Sequence, residues 1–175
     1  MQFKVFGLVQ EGIGATRTVE VDGSIDIEGR AAEHVTGTAD LLRTAAGVLV
    51  RAHLSLVEPE TCSRCLAPLE ETVPLSFEEE FQAVLGPEDE DLTEALDPEA
   101  FTLDPQYVLD LTEAVRQYRE VSLVMKPLCR PDCRGLCPRC GKDLNLGDCG
   151  CESGAENDRW AGLAALRGVL AERKD

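Results

Sequence analysis

Apolar residues stand at every second position from Val48 through Val50, Ala52, Leu54 and Leu56, with Arg51, His53 and Ser55 between them. This alternation predicts a half-buried strand, closed by Glu58-Pro59-Glu60. A similar alternation, Val73, Leu75, Phe77 and then Phe81, predicts a second strand that runs outward into glutamates. Upstream, Phe3, Val5 and Gly7 alternate with Lys4 and Phe6 until Gly12 and Gly14 break the run. Val19 and Val21, then Ile25 and Ile27, alternate with acids around a predicted turn at Asp22-Gly23, and a weaker period runs from Val35 to Leu42. The N-terminal half therefore reads as an antiparallel sheet or open barrel.

The period changes after Asp104-Pro105, a carboxylate in the N-cap position followed by proline at the first helical one. Val108, Leu111, Val115, Tyr118 and Ser122 follow at helical spacing, and Pro127 marks the expected end. This helix is expected to cover the sheet. Near the end of the chain, Asn157 or Asp158 caps a last predicted helix carrying Trp160, Leu163, Leu166, Val169 and Leu170. The expected class is α+β. The N-terminal β-rich part spans residues 1–85 and an acidic linker 86–104. Residues 105–175 hold helix, cysteine-rich segment and C-terminal helix, packed with the first part as one domain.

Charge narrows the partners. There are 17 basic and 33 acidic residues in 175, a net charge of −16. A protein gripping nucleic acid over its whole surface should be basic, so any such contact must be local or pass through a protein adaptor. Anionic membranes are disfavoured for the same reason. No uncharged run exceeds seven residues, which excludes a membrane-spanning helix. Lys4, Glu11, Arg17 and Glu20 interrupt the first twenty residues, leaving no apolar stretch suited to a signal peptide. A cytoplasmic location is the expectation.

Eight cysteines are then the unusual feature, falling into the pairs Cys62/Cys65, Cys129/Cys133, Cys137/Cys140 and Cys149/Cys151. Reducing surroundings disfavour a disulfide framework and favour metal. In Cys137-Pro138-Arg139-Cys140-Gly141 the proline stiffens the turn and the glycine permits the positive φ that follows a second ligand. Eight residues separate Cys140 from Cys149, a short loop to close. Cys137, Cys140, Cys149 and Cys151 thus make a credible four-thiolate zinc site. Cys62-Ser63-Arg64-Cys65 sits where a turn belongs but has Leu66 in place of the glycine. Its favoured complement is Cys129/Cys133, in a second site. Other pairings, buried free thiols and a rubredoxin-like iron centre are the alternatives, since four sulfurs suit both metals. Four-ligand closure leaves no open position for metal catalysis.

No nucleophile triad, phosphate loop or dinucleotide glycine pattern is present, and His34 and His53 lie in or near strands away from the cysteines. No enzyme and no small-molecule substrate is expected. Basic residues gather at the cysteines: residues 126–142 hold Lys126, Arg130, Arg134, Arg139 and Lys142 against one acid, Asp132. With Arg64 these form the candidate RNA-binding set. Residues 78–99, by contrast, hold ten acids and no base.

Cys62-x-Arg64-Cys65-Leu66, an apolar strand and the run Phe77-Glu78-Glu79-Glu80-Phe81 together resemble the bacterial YceD family. So does the string from Met125-Lys126-Pro127-Leu128-Cys129 through Gly135-Leu136-Cys137-Pro138 and Cys140-Gly141 to Asp143-Leu144-Asn145. Cys149-x-Cys151 and Asp158-Arg159-Trp160-Ala161-x-Leu163 extend the likeness, which covers about residues 35–170. The resemblance implies a role in accumulation or processing of large-subunit ribosomal RNA, with no catalytic residues to carry over. The expected function is a non-enzymatic ribosome-assembly factor with structural zinc, contacting ribosomal RNA or a pre-ribosomal particle. The alternatives are an acidic module holding a basic ribosomal protein and an iron electron carrier.

Overall fold

The computed structural model describes residues 1–27, 33–84, 96 and 98–151. Two compact units divide the chain. The first comprises Met1–Cys62 and Ala67–Cys129, the second Ser63–Leu66 and the chain from Arg130.

The first unit is α+β. Its elements are β1 (Gln2–Lys4), α1 (Phe6–Gln10), β2 (Thr16–Ile25), β3 (Glu33–Arg43), β4 (Gly47–Thr61), β5 (Pro68–Ala83), β6 (Thr102–Leu103), β7 (Val108–Asp110) and α2 (Thr112–Ser122). The main sheet has the order β2-β3-β4-β5-β6, antiparallel except for the short parallel pair β5–β6. It is open, with β2 and β6 at its edges. β1 and β7 form a separate antiparallel pair, with Phe3 opposite Leu109.

The period-two reading of β4 holds. Val48, Val50, Ala52, Leu54 and Leu56 are buried, while Arg51 and His53 are exposed. Inward residues of β3 and β5, among them Val35, Leu41, Val73, Leu75 and Phe81, complete the same face. Leu8, Leu109, Leu111 and Val115 join them in one core. Each large apolar side chain buried in this way stabilises the unit by about 1.5–3 kcal/mol.

Several predicted boundaries are corrected. The first strand ends at Lys4, because Val5 and Leu8 are buried three residues apart, a helical spacing that α1 satisfies. Asp22-Gly23 is not a turn: β2 runs straight through it, Asp22 opposite Thr36 and Gly23 opposite Val35. The glycine serves close approach instead, since a Cβ there would lie 2.6 Å from the Met1 side chain. Glu58-Pro59-Glu60 does not end β4. Among the described residues the strand beyond Leu56 pairs with β5 alone, Pro59 facing Glu70, and a proline is tolerated where one side of a strand carries no ladder.

The helix start is displaced as well. Asp104 does accept backbone N–H groups, from Gln106 at 2.9 Å and Val108 at 2.7 Å. They close a turn rather than a helix, because Tyr107 takes φ +56 and the chain then extends into β7. Asp110 instead receives the Thr112 N–H at 2.9 Å as α2 begins. The helix ends at Ser122, ahead of Pro127, where Leu123 turns extended. α2 lies on β5, with Tyr118 stacked on Phe77 at 4.6 Å between ring centroids. Within the span read as a linker, Thr102–Leu103 is strand; most of the acidic stretch, and the predicted C-terminal helix, lie outside the described residues.

The burial pattern of β4 and α2 hides a feature with no apolar signature. Arg119 of α2 is buried, with its Nε donating to Glu58 Oε2 at 2.9 Å and its Nη2 to Glu58 Oε1. Glu33 Oε2 accepts a third, longer bond at 3.3 Å. Glu58 and Glu33 are 0% and 6% exposed. Burial pushes the Glu33 carboxyl above its ordinary range, and Glu58 pushes it the same way, against the pull of Arg119.

Candidate metal centres

All eight cysteines fall into two groups. Within each group the four Sγ atoms lie within 4.8 Å of one another: Cys62, Cys65, Cys129 and Cys133 in one, Cys137, Cys140, Cys149 and Cys151 in the other. These are the groupings that the pair spacings favour. Four sulfurs at 2.3 Å from one ion stand about 3.8 Å apart in a tetrahedron, so both groups could hold a metal ion.

The two C-x2-C turns share one backbone geometry. Cys62 N–H donates to the carbonyl of Ala67, five residues on, and Cys137 N–H donates to Lys142, also five residues on, both at 2.8 Å. The residue after the second cysteine has positive φ in both: Gly141 at +73 and Leu66 at +60. The missing glycine therefore does not change the turn. Leu66 adopts the left-handed conformation at a cost of roughly 1–2 kcal/mol, with its side chain 63% exposed.

In the second unit, Arg64 and Gly135 lock the chain around Cys133. Leu136 N–H donates to Arg64 O at 3.1 Å, and Arg64 Nη1 donates to Cys133 O at 2.8 Å. Gly135, at φ +72, allows this approach: a Cβ would stand 3.0 Å from Arg64 O. Asn145, which sequence reading left without a role, donates from Nδ2 to Cys133 Sγ at 3.4 Å. Its Oδ1 accepts the Arg134 N–H at 2.8 Å and Arg130 Nη2 at 2.7 Å. A donor beside a thiolate orients the ligand and favours its charge. The signal for Asn145 was its place in the string Asp143-Leu144-Asn145, whose Asp143 also accepts its backbone N–H at 2.8 Å.

The second group shows what such a set does electrostatically. Backbone N–H groups of Cys140 and Arg139, then the Cys149 side chain, pull the Cys137 thiol down to about 6. Hydrogen bonds to Cys140 and Cys149 push Cys151 up to about 12. The Cys137 sulfur is prepared to be anionic while Cys151 resists sharing that charge. A cation among the four removes the conflict, which is the chemistry of a thiolate metal centre. Gly150, at φ +72, turns the chain between Cys149 and Cys151.

The six candidate RNA-binding residues are used unevenly. Arg64, Arg130, Arg134 and Lys142 are engaged inside the second unit. Arg134 Nη2 donates to Asp148 at 2.6 Å, Lys142 Nζ to Asp148 O at 2.9 Å, and Arg130 lies 3.6 Å from Asp132. Lys126 and Arg139 have no ion pair among the described residues.

Fold and sites define an α+β protein with two four-cysteine groups that could each hold a metal. The family model described as large ribosomal RNA subunit accumulation protein YceD matches residues 50–167, a span that includes all eight cysteines. The chain belongs to the YceD family, whose name links it to large-subunit ribosomal RNA and which is not known as an enzyme family. It is 32% identical over 122 residues to uncharacterized proteins of Mycobacterium bovis and of two Mycobacterium tuberculosis strains. The match covers 70% of this chain and 56% of theirs, so the chain matches little more than half the length of these curated relatives. No solved structure matches it. Among the described residues no helix is long and apolar enough to cross a membrane.

Proposed function

We propose that this protein is a non-enzymatic, cytoplasmic assembly factor for the large ribosomal subunit, with two structural zinc ions bound by its eight cysteines. The family match carries this reading, because it spans both four-cysteine groups and names the large-subunit RNA. Closed four-thiolate sites are structural by construction, since all four positions belong to the protein. Zinc ions at Cys62, Cys65, Cys129 and Cys133, and at Cys137, Cys140, Cys149 and Cys151, hold the loops that carry them. Elemental analysis of protein purified without added metal should give close to two equivalents of zinc and a colourless sample. A red sample rich in iron would replace zinc by a rubredoxin-like centre.

Contact with ribosomal RNA falls to the bases around the cysteines, Arg64, Lys126, Arg130, Arg134, Arg139 and Lys142. Arg130 and Arg134 are ion-paired and Arg64 and Lys142 donate to backbone carbonyls, whereas Lys126 and Arg139 have neither kind of contact among the described residues. RNA affinity arises from phosphate neutralisation, so each lost contact flattens the salt dependence by close to one unit. Lys126→Glu with Arg139→Glu should lower association with pre-ribosomal particles while leaving zinc content unchanged. Crosslinking in cells, followed by sequencing of bound RNA and identification of bound proteins, is the test. The internal engagement of four of the six bases favours one second reading, in which the acidic body holds a basic ribosomal protein. Harmless charge reversal together with crosslinks to such a protein decides for it.

A further inference from the structure

The two cysteine groups differ in what solvent can reach. In the first, Cys62, Cys65 and Cys133 are buried and only Cys129 is exposed. In the second, only Cys137 is buried; Cys140 is exposed and Cys149 and Cys151 are half-buried. Cys140 is followed two residues later by the exposed Lys142 and preceded by the exposed, cationic Arg139. Three reachable sulfurs lie within 4.8 Å of one another, close enough to pair after a small movement. Thiolates that are exposed and flanked by cations are those that oxidants attack, and a neighbouring thiolate resolves the product to a disulfide.

We infer that the second group is an oxidant-sensitive modification site: a peroxide converts Cys140 and one of Cys149 or Cys151 to a disulfide, and the metal leaves. The inference rests on the proposed zinc occupancy. The Cys140 thiolate attacks one peroxide oxygen, the O–O bond breaks, and the departing hydroxide takes a proton to become water. The sulfenic acid left on Cys140 is then attacked at sulfur by the second thiolate. The S–S bond forms, and the hydroxyl leaves with a second proton as another water. Two thiolates lose two electrons and the peroxide gains them, with two protons drawn from solvent. The ion has then lost two of its four anionic ligands. The first group offers one reachable sulfur, and an Asn145 N–H already occupies its Cys133 Sγ, so it keeps its metal longer.

The experiment uses the full-length, metal-loaded protein under argon, first assayed for zinc. Less than half an equivalent of zinc overturns the proposed occupancy and leaves thiol reactivity to be read separately by the same mass spectra. Hydrogen peroxide is then added in steps while a chromogenic chelator reports released zinc. Unreduced tryptic peptides are mapped in parallel. Cleavage after Arg139 and Lys142 isolates Cys140 on a three-residue peptide, so its linkage is read directly. The expected result is release of one equivalent at least about threefold faster than the other, matching three reachable sulfurs against one. The first disulfide should join the Cys140 peptide to the one carrying Cys149 and Cys151, and dithiothreitol with zinc should reverse both changes. A first disulfide among Cys62, Cys65, Cys129 and Cys133, equal release from both groups, or oxidation of Cys140 without any disulfide each overturns the inference.

Discussion

Replacing Arg119 by methionine removes a cation that donates two hydrogen bonds to Glu58, a carboxylate with 0% exposure. The side-chain volume is roughly kept, so the change is electrostatic before it is steric. An ion pair broken on one side in the interior leaves an uncompensated charge, which costs about 3–5 kcal/mol. A domain of this kind has roughly 5–15 kcal/mol in all, so the first unit should be close to its limit. Urea denaturation of the metal-loaded chain at pH 7, followed by far-UV circular dichroism, measures the loss. Arg119→Met together with Glu58→Met and Glu33→Gln should recover most of it, since a buried ionic group replaced as a whole by uncharged groups of similar volume costs little. Glu33 supplies the pH arm. Its pKa is raised, so between the ordinary value of 4.5 and its folded value the native state holds a proton the unfolded state has lost. Its contribution is therefore full at low pH and is lost as pH rises through that window. Glu33→Gln keeps the shape without the charge and should be more stable than wild type at pH 7, with the advantage vanishing below pH 4.5. An Arg119→Met variant within 0.5 kcal/mol of wild type, at the usual scatter of surface changes, would refute the reasoning.

Two further outcomes test other parts of the structure. Gly141→Ala adds a Cβ that meets nothing within 4 Å, so its whole effect is conformational strain at φ +73. It should weaken metal retention by about 1–2 kcal/mol, while Leu66→Gly should strengthen it, both read by competition with a chelator. Burial opposes ionisation of Asp110, but hydrogen bonds from Thr112, Gln2 and the terminal ammonium outweigh it and hold the carboxyl well below its ordinary value. That stability is present above about pH 4 and disappears as pH falls through the lowered value. Asp110→Asn should therefore unfold at lower urea than wild type at pH 7, with the gap narrowing as the solution is acidified below pH 4.

Local patterns were sufficient wherever one residue's neighbours in sequence are also its physical environment. The alternation of Val48 to Leu56 states which face of β4 is buried, because side chains on a strand change sides at every step. The cysteine spacings point to Cys137, Cys140, Cys149 and Cys151 as one ion's ligands, because a C-x2-C turn and an eight-residue loop close on themselves at little entropic cost, whereas Cys62 and Cys65 meet Cys129 and Cys133 only through the fold. Tertiary structure decided the rest. Asp104-Pro105 has every local mark of a helix start, yet β7 pairs with β1 across more than a hundred residues and holds that chain extended. Gly23 has the mark of a turn, and the distant Met1 side chain explains it instead. Arg119, Glu58 and Glu33 carry no local mark of a buried cluster, since nothing in the sequence says that three polar side chains from α2, β4 and β3 meet in the interior. Of the bases near the cysteines, composition counted the charges. Only the folded chain showed which of them already satisfy carbonyl and carboxylate oxygens of their own unit, because that pairing depends on distances between loops and not on their order.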